Sequence, residues 1–168
     1  THHFPTGTTD QTFLKRALAA MDQRLSKVWS HRFLNLPLRD SYQALILASI
    51  VEKETALTAE REEIAGVFTR RLQNGMLLQI DPTVIYGLGE ASDENLRKQD
   101  LIADTSYNSY TPQRLAADAP IALPGAVALV TAVHPAPGDA LYFVANGADG
   151  HVFSRTLDEH DRAGGTST

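Results

Sequence analysis

Hydrophobic residues recur at helical spacing, three or four positions apart, through the first half of the chain. Thr9 is a good N-cap for the first run, and Asp40 with Gln43 forms a capping pair for the second. The pattern predicts helices from Asp10 to the break at Leu36-Pro37-Leu38, from Asp40 to Glu54, from Thr58 to an Asn74-Gly75 C-cap, and briefly from an N-cap at Asp81 to Gly87.

The second half of the chain has shorter hydrophobic runs between polar segments. Residues 90–119 predict loops with weak helical signals around Leu96, and Pro124 begins a further helix that extends to Val133. The runs 141–145 and 151–154 flank the turn segment NGADG and predict a β-hairpin, and residues 163–168 predict a disordered tail. The fold class is therefore α+β, with a helix-rich body and a small C-terminal sheet.

Composition and charge narrow the class of protein. The 168 residues suit one domain, and 43% hydrophobic residues are ordinary for a globular chain. The net charge of -5 argues against a nucleic-acid partner. The absence of cysteine excludes a disulfide scaffold and a thiol nucleophile. No apolar run reaches the ~20 residues of a membrane span, and the chain begins with Thr1 instead of Met, so we expect it to be a fragment.

The segment 43–55, QALILASIVEKET, is the most informative stretch of the sequence. At about 100° per residue its helix has one narrow polar strip, formed by Tyr42, Ser49 and Lys53, so we expect it to be buried on nearly all sides. It ends in two carboxylates, Glu52 and Glu54, which lie about 200° apart. We therefore expect only one of them to face a given cleft.

A carboxyl group beside apolar walls resists ionisation, so its pKa rises and it can stay protonated near neutral pH. A general acid that cleaves a glycosidic bond needs this property. The alternative is that Glu52 and Glu54 form ion pairs with Arg61, Arg70 or Arg71 and only finish the helix. The residue pattern by itself leaves both interpretations open.

Several blocks of sequence together resemble one known family. ASIVEKETA at 48–56 is followed by RLQNGMLLQIDPTVIYG at 71–87, then by YNSYT at 107–111, IALPG at 121–125 and LYFVA at 141–145. These motifs resemble the MltG/YceG family of endolytic murein transglycosylases and cover nearly the whole chain. The resemblance implies a single catalytic domain over residues 1–168, without the membrane anchor and the accessory region that the family carries upstream.

A looser resemblance concerns the choice of the acid. Soluble lytic transglycosylases and goose-type lysozymes carry Glu-Ser at the end of a buried helix and Gln-Ile after a later turn. Glu54-Thr55 and Gln79-Ile80 are similar to these two elements. The resemblance implies a lysozyme-like buried catalytic helix with Glu54 as the catalytic residue and Glu52 in a supporting role at the substrate site.

The family resemblance implies non-hydrolytic cleavage of the β-1,4 bond between N-acetylmuramic acid and N-acetylglucosamine. One glutamate gives a proton to the leaving oxygen and then takes the proton of the sugar's C6 hydroxyl, which closes a 1,6-anhydro ring. No metal or cofactor is expected. The implied partners are peptidoglycan glycan strands and, beside them, penicillin-binding proteins or other glycan synthases, at the extracytoplasmic (periplasmic) face of the cytoplasmic membrane.

Five further residues are candidates for substrate binding. Gln79 offers amide donors and an acceptor that suit sugar hydroxyl and N-acetyl groups, although it could equally hold the following turn. Thr83 and Tyr86 could line the cleft from the brief helix, although Tyr86 could equally be core. Asn108 and Tyr110 lie in a polar loop, where an amide and an exposed aromatic ring suit carbohydrate; the alternative is a loop bonded to itself.

Other enzyme classes have little support in the sequence. The six histidines show no H-x-x-x-H or H-E-x-x-H spacing, so a zinc enzyme is not expected.

Two rival functions stay open. One is a lysozyme-like hydrolase, in which a second carboxylate such as Asp81 would activate water, although Pro82 after it favours an N-cap. The other is a non-catalytic glycan-binding module, in which Glu54 would be inert.

Overall fold

The computed structural model describes residues 5–89, 96–111, 117–148 and 150–165. Its elements are α1 (Asp10–Ser30), α2 (Ser41–Glu54), a 3-10 turn (Thr58–Glu60), α3 (Arg61–Gln73), α4 (Asp81–Leu88), α5 (Lys98–Leu101), α6 (Ala126–Val133), β1 (Tyr142–Ala145), β2 (His151–Ser154) and α7 (Leu157–Gly164). None of the helices in these ranges is long and apolar enough to cross a membrane. The α+β class predicted from the sequence is confirmed.

Capping residues set the ends of the first three helices. The Thr9 side chain accepts a hydrogen bond from a backbone N–H in the first turn of α1. The Asp40 carboxylate accepts from the Gln43 N–H at 2.8 Å, and the Gln43 side chain accepts from the Arg39 N–H at 2.8 Å. Gly75, with a φ of 67°, lets the chain leave α3 in a left-handed turn. The predicted starts of α1 and α2 and the C-cap of α3 are therefore confirmed.

Helix α2 forms the centre of the core and packs against α1, α3, α4 and α6. Seven of its side chains are at most 4% exposed: Ala44, Ile46, Leu47, Ala48, Ser49, Ile50 and Val51. The one polar group among them is paired, because the Ser49 hydroxyl donates to the Ile46 carbonyl at 2.7 Å and accepts from the Ile121 N–H at 3.0 Å. The predicted burial of this helix is confirmed.

Strands β1 and β2 form the predicted antiparallel hairpin, in which Tyr142 pairs with Ser154 and Ala145 with His151. Arg71 of α3 attaches this hairpin to the segment before α4. Its Nε donates to the Leu141 carbonyl at 2.6 Å and its Nη1 to the Leu78 carbonyl at 2.7 Å. One buried guanidinium group therefore joins α3 and the segment that follows it to a hairpin 70 residues further along the sequence.

The prediction of a disordered tail from residue 163 is wrong, because α7 extends to Gly164. Thr156 and Glu159 form a capping box at the start of this helix, which packs against both strands. Residues 166–168 of the predicted tail lie outside the described residues, as do 90–95 and 112–116 of the predicted loop region. Between residues 95 and 112, α5 is a single helical turn near Leu96, where the sequence gives weak helical signals.

The predicted cap of α4 is also wrong. Ile80 occupies the N-cap position and Asp81 is the first helical residue, with Pro82 second. The Asp81 carboxylate accepts a hydrogen bond from the Tyr110 hydroxyl. Four other ends also differ from the prediction. The first helix ends at Ser30, before the break at Leu36, and α3 begins at Arg61 after the 3-10 turn. In addition, α4 extends past Gly87 to Leu88, and the helix predicted from Pro124 begins at Ala126.

Leu47→Ala is expected to lower the free energy of unfolding by about 2–5 kcal/mol, because the side chain is fully buried and its truncation leaves a cavity. Leu34→Ala makes the same chemical change at a side chain that is 93% exposed, and we expect it to change the free energy by less than ~0.5 kcal/mol. Urea unfolding followed by circular dichroism measures both values. Equal stabilities for the two variants would contradict the central position of α2.

Candidate active site

A cleft of about 460 Å³ lies beside the C-terminal end of α2. This volume is in the range of small-molecule sites in proteins. The polar residues that line it include Glu54 from α2, Arg71 from α3, Gln79 and Asp81 around the start of α4, Tyr110 from the loop after α5, Tyr142 from β1, and His160 and Asp161 from α7. The cleft therefore brings together side chains from both halves of the chain.

Glu54 is the last residue of α2, and its carboxyl group lines this cleft. Burial raises the pKa of Glu54 from 4.5 to about 7, His151 lowers it, and the charge of Asp81 raises it. The Oε2 atom is buried and has no hydrogen-bond partner among the described residues. About half of the molecules therefore carry a neutral carboxyl group in the cleft at neutral pH.

Glu52 has different surroundings, as the spacing of the two glutamates predicts. Its Oε1 accepts a hydrogen bond from Arg61 Nη2 at 2.8 Å, and its Oε2 accepts from the Gly125 N–H at 2.9 Å. It is not one of the residues that line the cleft. The ion-pair interpretation therefore applies to Glu52 but not to Glu54, and the geometry gives Glu52 the role of connecting α2 to α3 and α6. Its supporting role at the substrate site stays a prediction.

Gln79 lines the cleft with an unusual backbone conformation. Its φ of 54° is the only positive value at a non-glycine residue among the described residues. This left-handed conformation costs about 1–2 kcal/mol for a residue with a Cβ, and such strain concentrates at functional sites. The Gln79 N–H donates to the Ser109 carbonyl at 3.0 Å, which fixes the turn. Both sequence interpretations of Gln79 are therefore compatible with its position.

Tyr110 and Asp81 form a hydrogen-bonded pair in the cleft. The Tyr110 hydroxyl donates to Asp81 Oδ1 at 2.5 Å. Burial, together with this hydrogen bond, raises the pKa of Tyr110 well above its ordinary value. The structure thus places the predicted Tyr110 in the cleft together with Asp81, for which the sequence favoured an N-cap over a role as second carboxylate.

Asn108 is 3% exposed and does not line the cleft. Its side-chain nitrogen donates to the carbonyls of Leu101 and Ala103 at 3.1 and 2.7 Å, and its side-chain oxygen accepts from the Tyr110 N–H at 2.9 Å. The amide is thus committed to the loop that carries Tyr110. The alternative of a loop bonded to itself fits Asn108, and direct binding of substrate does not.

Thr83 and Tyr86 also lie outside the lining of the cleft. Thr83 is fully buried, and its hydroxyl donates to the Ile80 carbonyl at 2.7 Å and lies within hydrogen-bond distance of Ser109 Oγ, at 2.9 Å. Tyr86 is 47% exposed, so it is not core, and its ring packs edge-on against Tyr107 with centroids 4.9 Å apart. The prediction that these two side chains line the cleft is not supported. Both side chains pack instead against neighbours around α4, Thr83 against Ser109 and Tyr86 against Tyr107.

The sequence pattern did not predict that α7 forms one wall of the cleft. His160 and Asp161 line the cleft, and the His160 ring lies 5.6 Å from the Tyr142 ring. His160 Nδ1 is buried without a hydrogen-bond partner in the part of the chain that the structure describes. The Thr156-x-x-Glu159 capping box is the signal that could have predicted this helix.

The described residues contain no group of three or more His, Asp or Glu side chains placed to hold a metal ion. The expectation that the protein needs no metal or cofactor stays a prediction. The fold and the cleft together define a helix-rich α+β domain with one buried, half-protonated carboxyl group at the end of a buried helix. This arrangement suits proton transfer to a bound substrate.

The model of the YceG-like family matches residues 1–165, and the chain belongs to this family. It is 42% identical over 122 residues to the endolytic murein transglycosylase of Bacillus subtilis (strain 168), a match that covers 73% of this chain and 33% of that protein. It is 33% identical over 168 residues to the protein of the same name from Streptococcus pneumoniae (strain D39), covering 96% of this chain and 30% of that protein.

A crystal structure of a YceG-like protein from Listeria monocytogenes has the same fold, with a TM-score of 0.78 and 31% sequence identity. The match covers 96% of this chain and 51% of that one. The chain thus spans about a third of the length of the curated relatives it matches and about half of the solved structure. The family resemblance predicted from the sequence is confirmed.

Gln79→Gly is expected to have a free energy of unfolding about 1 kcal/mol higher than that of Gln79→Ala, because glycine adopts a positive φ without steric cost. Both variants lose the same amide group, so the difference isolates the backbone conformation. Urea unfolding of the two variants measures it. If Gln79→Ala is as stable as Gln79→Gly, the left-handed conformation at this position is contradicted.

Glu54 should also link stability to pH. With a pKa of 4.5 when unfolded and about 7 when folded, the folded state binds more protons in this interval, so stability falls as the pH rises through it. The Glu54→Gln variant has no carboxyl group at this position, so it does not show this fall in stability. The stability of the variant relative to the wild type should therefore rise by about 3 kcal/mol from the acidic to the alkaline side of the interval.

Chemical denaturation on both sides of the interval measures this change. Glu62→Gln, which removes an exposed carboxylate in the first turn of α3, is the control and should keep the pH dependence of the wild type. A Glu54→Gln variant that follows the wild type at every pH would show that the carboxyl group is not buried in the folded protein.

Proposed function

We propose that this chain is the catalytic domain of a peptidoglycan lytic transglycosylase in which Glu54 transfers the proton. The observation that carries the proposal is a carboxyl group whose pKa is raised to about 7 by burial and whose buried Oε2 has no partner among the described residues. The relatives support the substrate class, because two of them are named endolytic murein transglycosylases.

In the first step, protonated Glu54 donates its proton to the glycosidic oxygen while the bond from this oxygen to C1 of N-acetylmuramic acid breaks. Burial raises the pKa of Glu54 to about 7, so a protonated form is present at neutral pH to donate this proton. The wall of the cleft near Glu54 includes the apolar side chains of Phe68 and Leu78, which favour the neutral form.

In the second step, the Glu54 carboxylate accepts the proton of the C6 hydroxyl of the same sugar, and the C6 oxygen attacks C1. One glycosidic bond breaks, one C–O bond forms in the 1,6-anhydro ring, and Glu54 is protonated again. The attacking hydroxyl is already attached to the reacting sugar, so proximity replaces an activated water molecule. A pKa near 7 suits a group that must both donate and accept a proton.

Asp81 supports the first step through its charge. It raises the pKa of Glu54, and its carboxylate is held by the Tyr110 hydroxyl. The same negative charge lies in the cleft where positive charge develops on the sugar ring as the glycosidic bond breaks. Tyr110 is therefore a positioning residue for Asp81 in this proposal.

Gln79 and the wall formed by Tyr142 and His160 are the proposed contacts to the glycan. The Gln79 amide can pair with N-acetyl and hydroxyl groups, and the Tyr142 ring suits the apolar face of a sugar. The strained backbone of Gln79 supports a binding role, because such strain persists where the surrounding structure holds it for function.

The setting of the reaction is also part of the proposal. We place the domain at the extracytoplasmic face of the cytoplasmic membrane, on nascent peptidoglycan strands beside penicillin-binding proteins or other glycan synthases. The curated relatives extend far beyond the matched region, so a membrane anchor and an accessory region can lie outside this chain. No residue described above is assigned to those partners.

One observation favours a second candidate, a lysozyme-like hydrolase. Asp81 lines the same cleft as Glu54 and could activate a water molecule. The Tyr110 hydroxyl occupies Oδ1 of this carboxylate, and the names of the relatives favour the transglycosylase. A non-catalytic glycan-binding module has less support, since a raised pKa at Glu54 serves no purpose in it.

Glu54→Gln is expected to slow the release of soluble fragments from isolated peptidoglycan by roughly 100-fold to 10,000-fold, because it removes the proton donor. Mass spectrometry of the fragments measures the rate and the chemistry. The wild type should release fragments that are lighter by one water than the products of hydrolysis. Glu52→Gln makes the same change outside the cleft and should keep most of the activity.

Three results would contradict the proposal in different ways. Fully hydrated fragments from the wild type would establish the hydrolase. Cleavage that persists in Glu54→Gln but disappears in Glu52→Gln would move the acid to Glu52. Binding of glycan strands without any cleavage by the folded wild type would favour the binding module.

A further inference from the structure

A Glu–His pair joins the 3-10 turn after α2 to the start of β2. The backbone N–H of His151 donates to Glu60 Oε1 at 2.9 Å, and His151 Nδ1 donates to Glu60 Oε2 at 2.7 Å. The two side chains are only 17% and 18% exposed. Partial burial opposes ionisation of Glu60, but the hydrogen bonds from His151 hold the pKa of this carboxyl below its ordinary value. Both oxygens of Glu60 are thus used by one residue of the hairpin.

The same carboxylate contacts the residue that follows Glu54. The Thr55 hydroxyl donates to Glu60 Oε2 at 3.5 Å, and Thr55 is 5% exposed. Gly150 allows the hairpin to come this close, because a Cβ at Gly150 would lie 2.8 Å from Glu60 Oε1. Glu60 therefore contacts both the end of α2 and the start of β2.

On its other side, His151 reaches the wall of the cleft. Its ring packs edge-on against Phe143, with centroids 5.3 Å apart and planes at 85°, and Phe143 lines the cleft together with Glu54. His151 also acts electrostatically on Glu54: burial raises the pKa of that carboxyl, and His151 lowers it. One imidazole thus interacts with Glu60 through hydrogen bonds and with Glu54 through charge.

We infer that Glu60 and His151 form a positioning pair that holds the end of α2 against the hairpin and stabilises the Glu54 carboxylate formed when the proton leaves. This inference rests on the proposed role of Glu54 as acid and then base. Burial assists only the acid step, because it favours the neutral carboxyl. The interaction of His151 with Glu54 favours the following state, in which Glu54 is a carboxylate, and Glu60 keeps the imidazole in place.

Other charged or titratable groups also face the cleft, and the experiment must separate them from His151. They are Asp81 of α4, Arg71 of α3, Tyr110, Tyr142 of β1, and His160 and Asp161 of α7. Asp81 raises the pKa of Glu54, whereas His151 lowers it. The Glu52 carboxylate forms an ion pair with Arg61. Substitution at His151 or Glu60 leaves all of these groups unchanged.

The test compares His151→Gln and Glu60→Gln with the wild type, each first shown to be folded by circular dichroism. His31→Gln is the matched control, because it makes the same change at an exposed histidine next to α1, outside the cleft. Carbon NMR titration of glutamate carboxyl groups, with Glu54 assigned by difference from Glu54→Gln, gives its pKa without reference to activity. The pH profiles of kcat and kcat/KM on isolated peptidoglycan give the catalytic effect.

In His151→Gln we expect the Glu54 titration to move to higher pH, and the alkaline limb of the kcat/KM profile to move in the same direction. This limb marks the loss of the protonated acid. We expect kcat to fall on the order of 10-fold to 100-fold through misplacement of Glu54, with KM little changed. Glu60→Gln should act in the same direction, and the double variant should be no worse than the more impaired single variant.

An unchanged Glu54 titration with an unchanged kcat in both variants, as expected for His31→Gln, would overturn the inference. So would a loss confined to KM, which would make the pair part of the glycan-binding surface. If the wild type cleaves no peptidoglycan but His151→Gln still shifts the Glu54 titration, the proposed function fails while the effect of the pair on Glu54 is supported.

Discussion

The burial of α2 on nearly every side is the constraint on which the rest of the structure depends. Seven of the eight residues from Ala44 to Val51 are removed from water by α1, α3, α4 and α6, so the helix has one position in the core. Its last residue, Glu54, is therefore held where the core meets the cleft. The same apolar surroundings raise the pKa of Glu54 to about 7, so a single packing arrangement both places the carboxyl group and keeps it half protonated.

The cleft is completed by segments that are distant in the sequence, and paired polar groups hold them there. Arg71 joins the hairpin to the segment before α4, and the Tyr110 hydroxyl binds Asp81. Glu60 and His151 attach the hairpin to the end of α2. Each contact uses a partly or fully buried charged or polar group, whose loss would leave a partner unpaired. The geometry around Glu54 therefore depends on long-range pairs as much as on the helix that carries it.

The sequence was sufficient for the features that depend on local pattern. Helical periodicity and caps predicted α1 to α3, and the 200° separation of Glu52 and Glu54 predicted that they diverge. It was insufficient for contacts between distant segments. Tertiary packing decides that Thr83 is enclosed by α4 and Ser109, that Asn108 is used within its own loop, and that α7 forms a wall. No local signal reports which way such side chains face.

The central claim is that the C6 hydroxyl of the substrate replaces water in the reaction at Glu54. Cleavage of peptidoglycan in water labelled with heavy oxygen tests this claim most directly, because hydrolysis must place one oxygen from the solvent at C1 of each new reducing end. The account predicts that mass spectrometry finds no heavy oxygen in the fragments released by the wild type. Incorporation of one labelled oxygen at C1 of each new reducing end would contradict it and assign the second step to an activated water molecule.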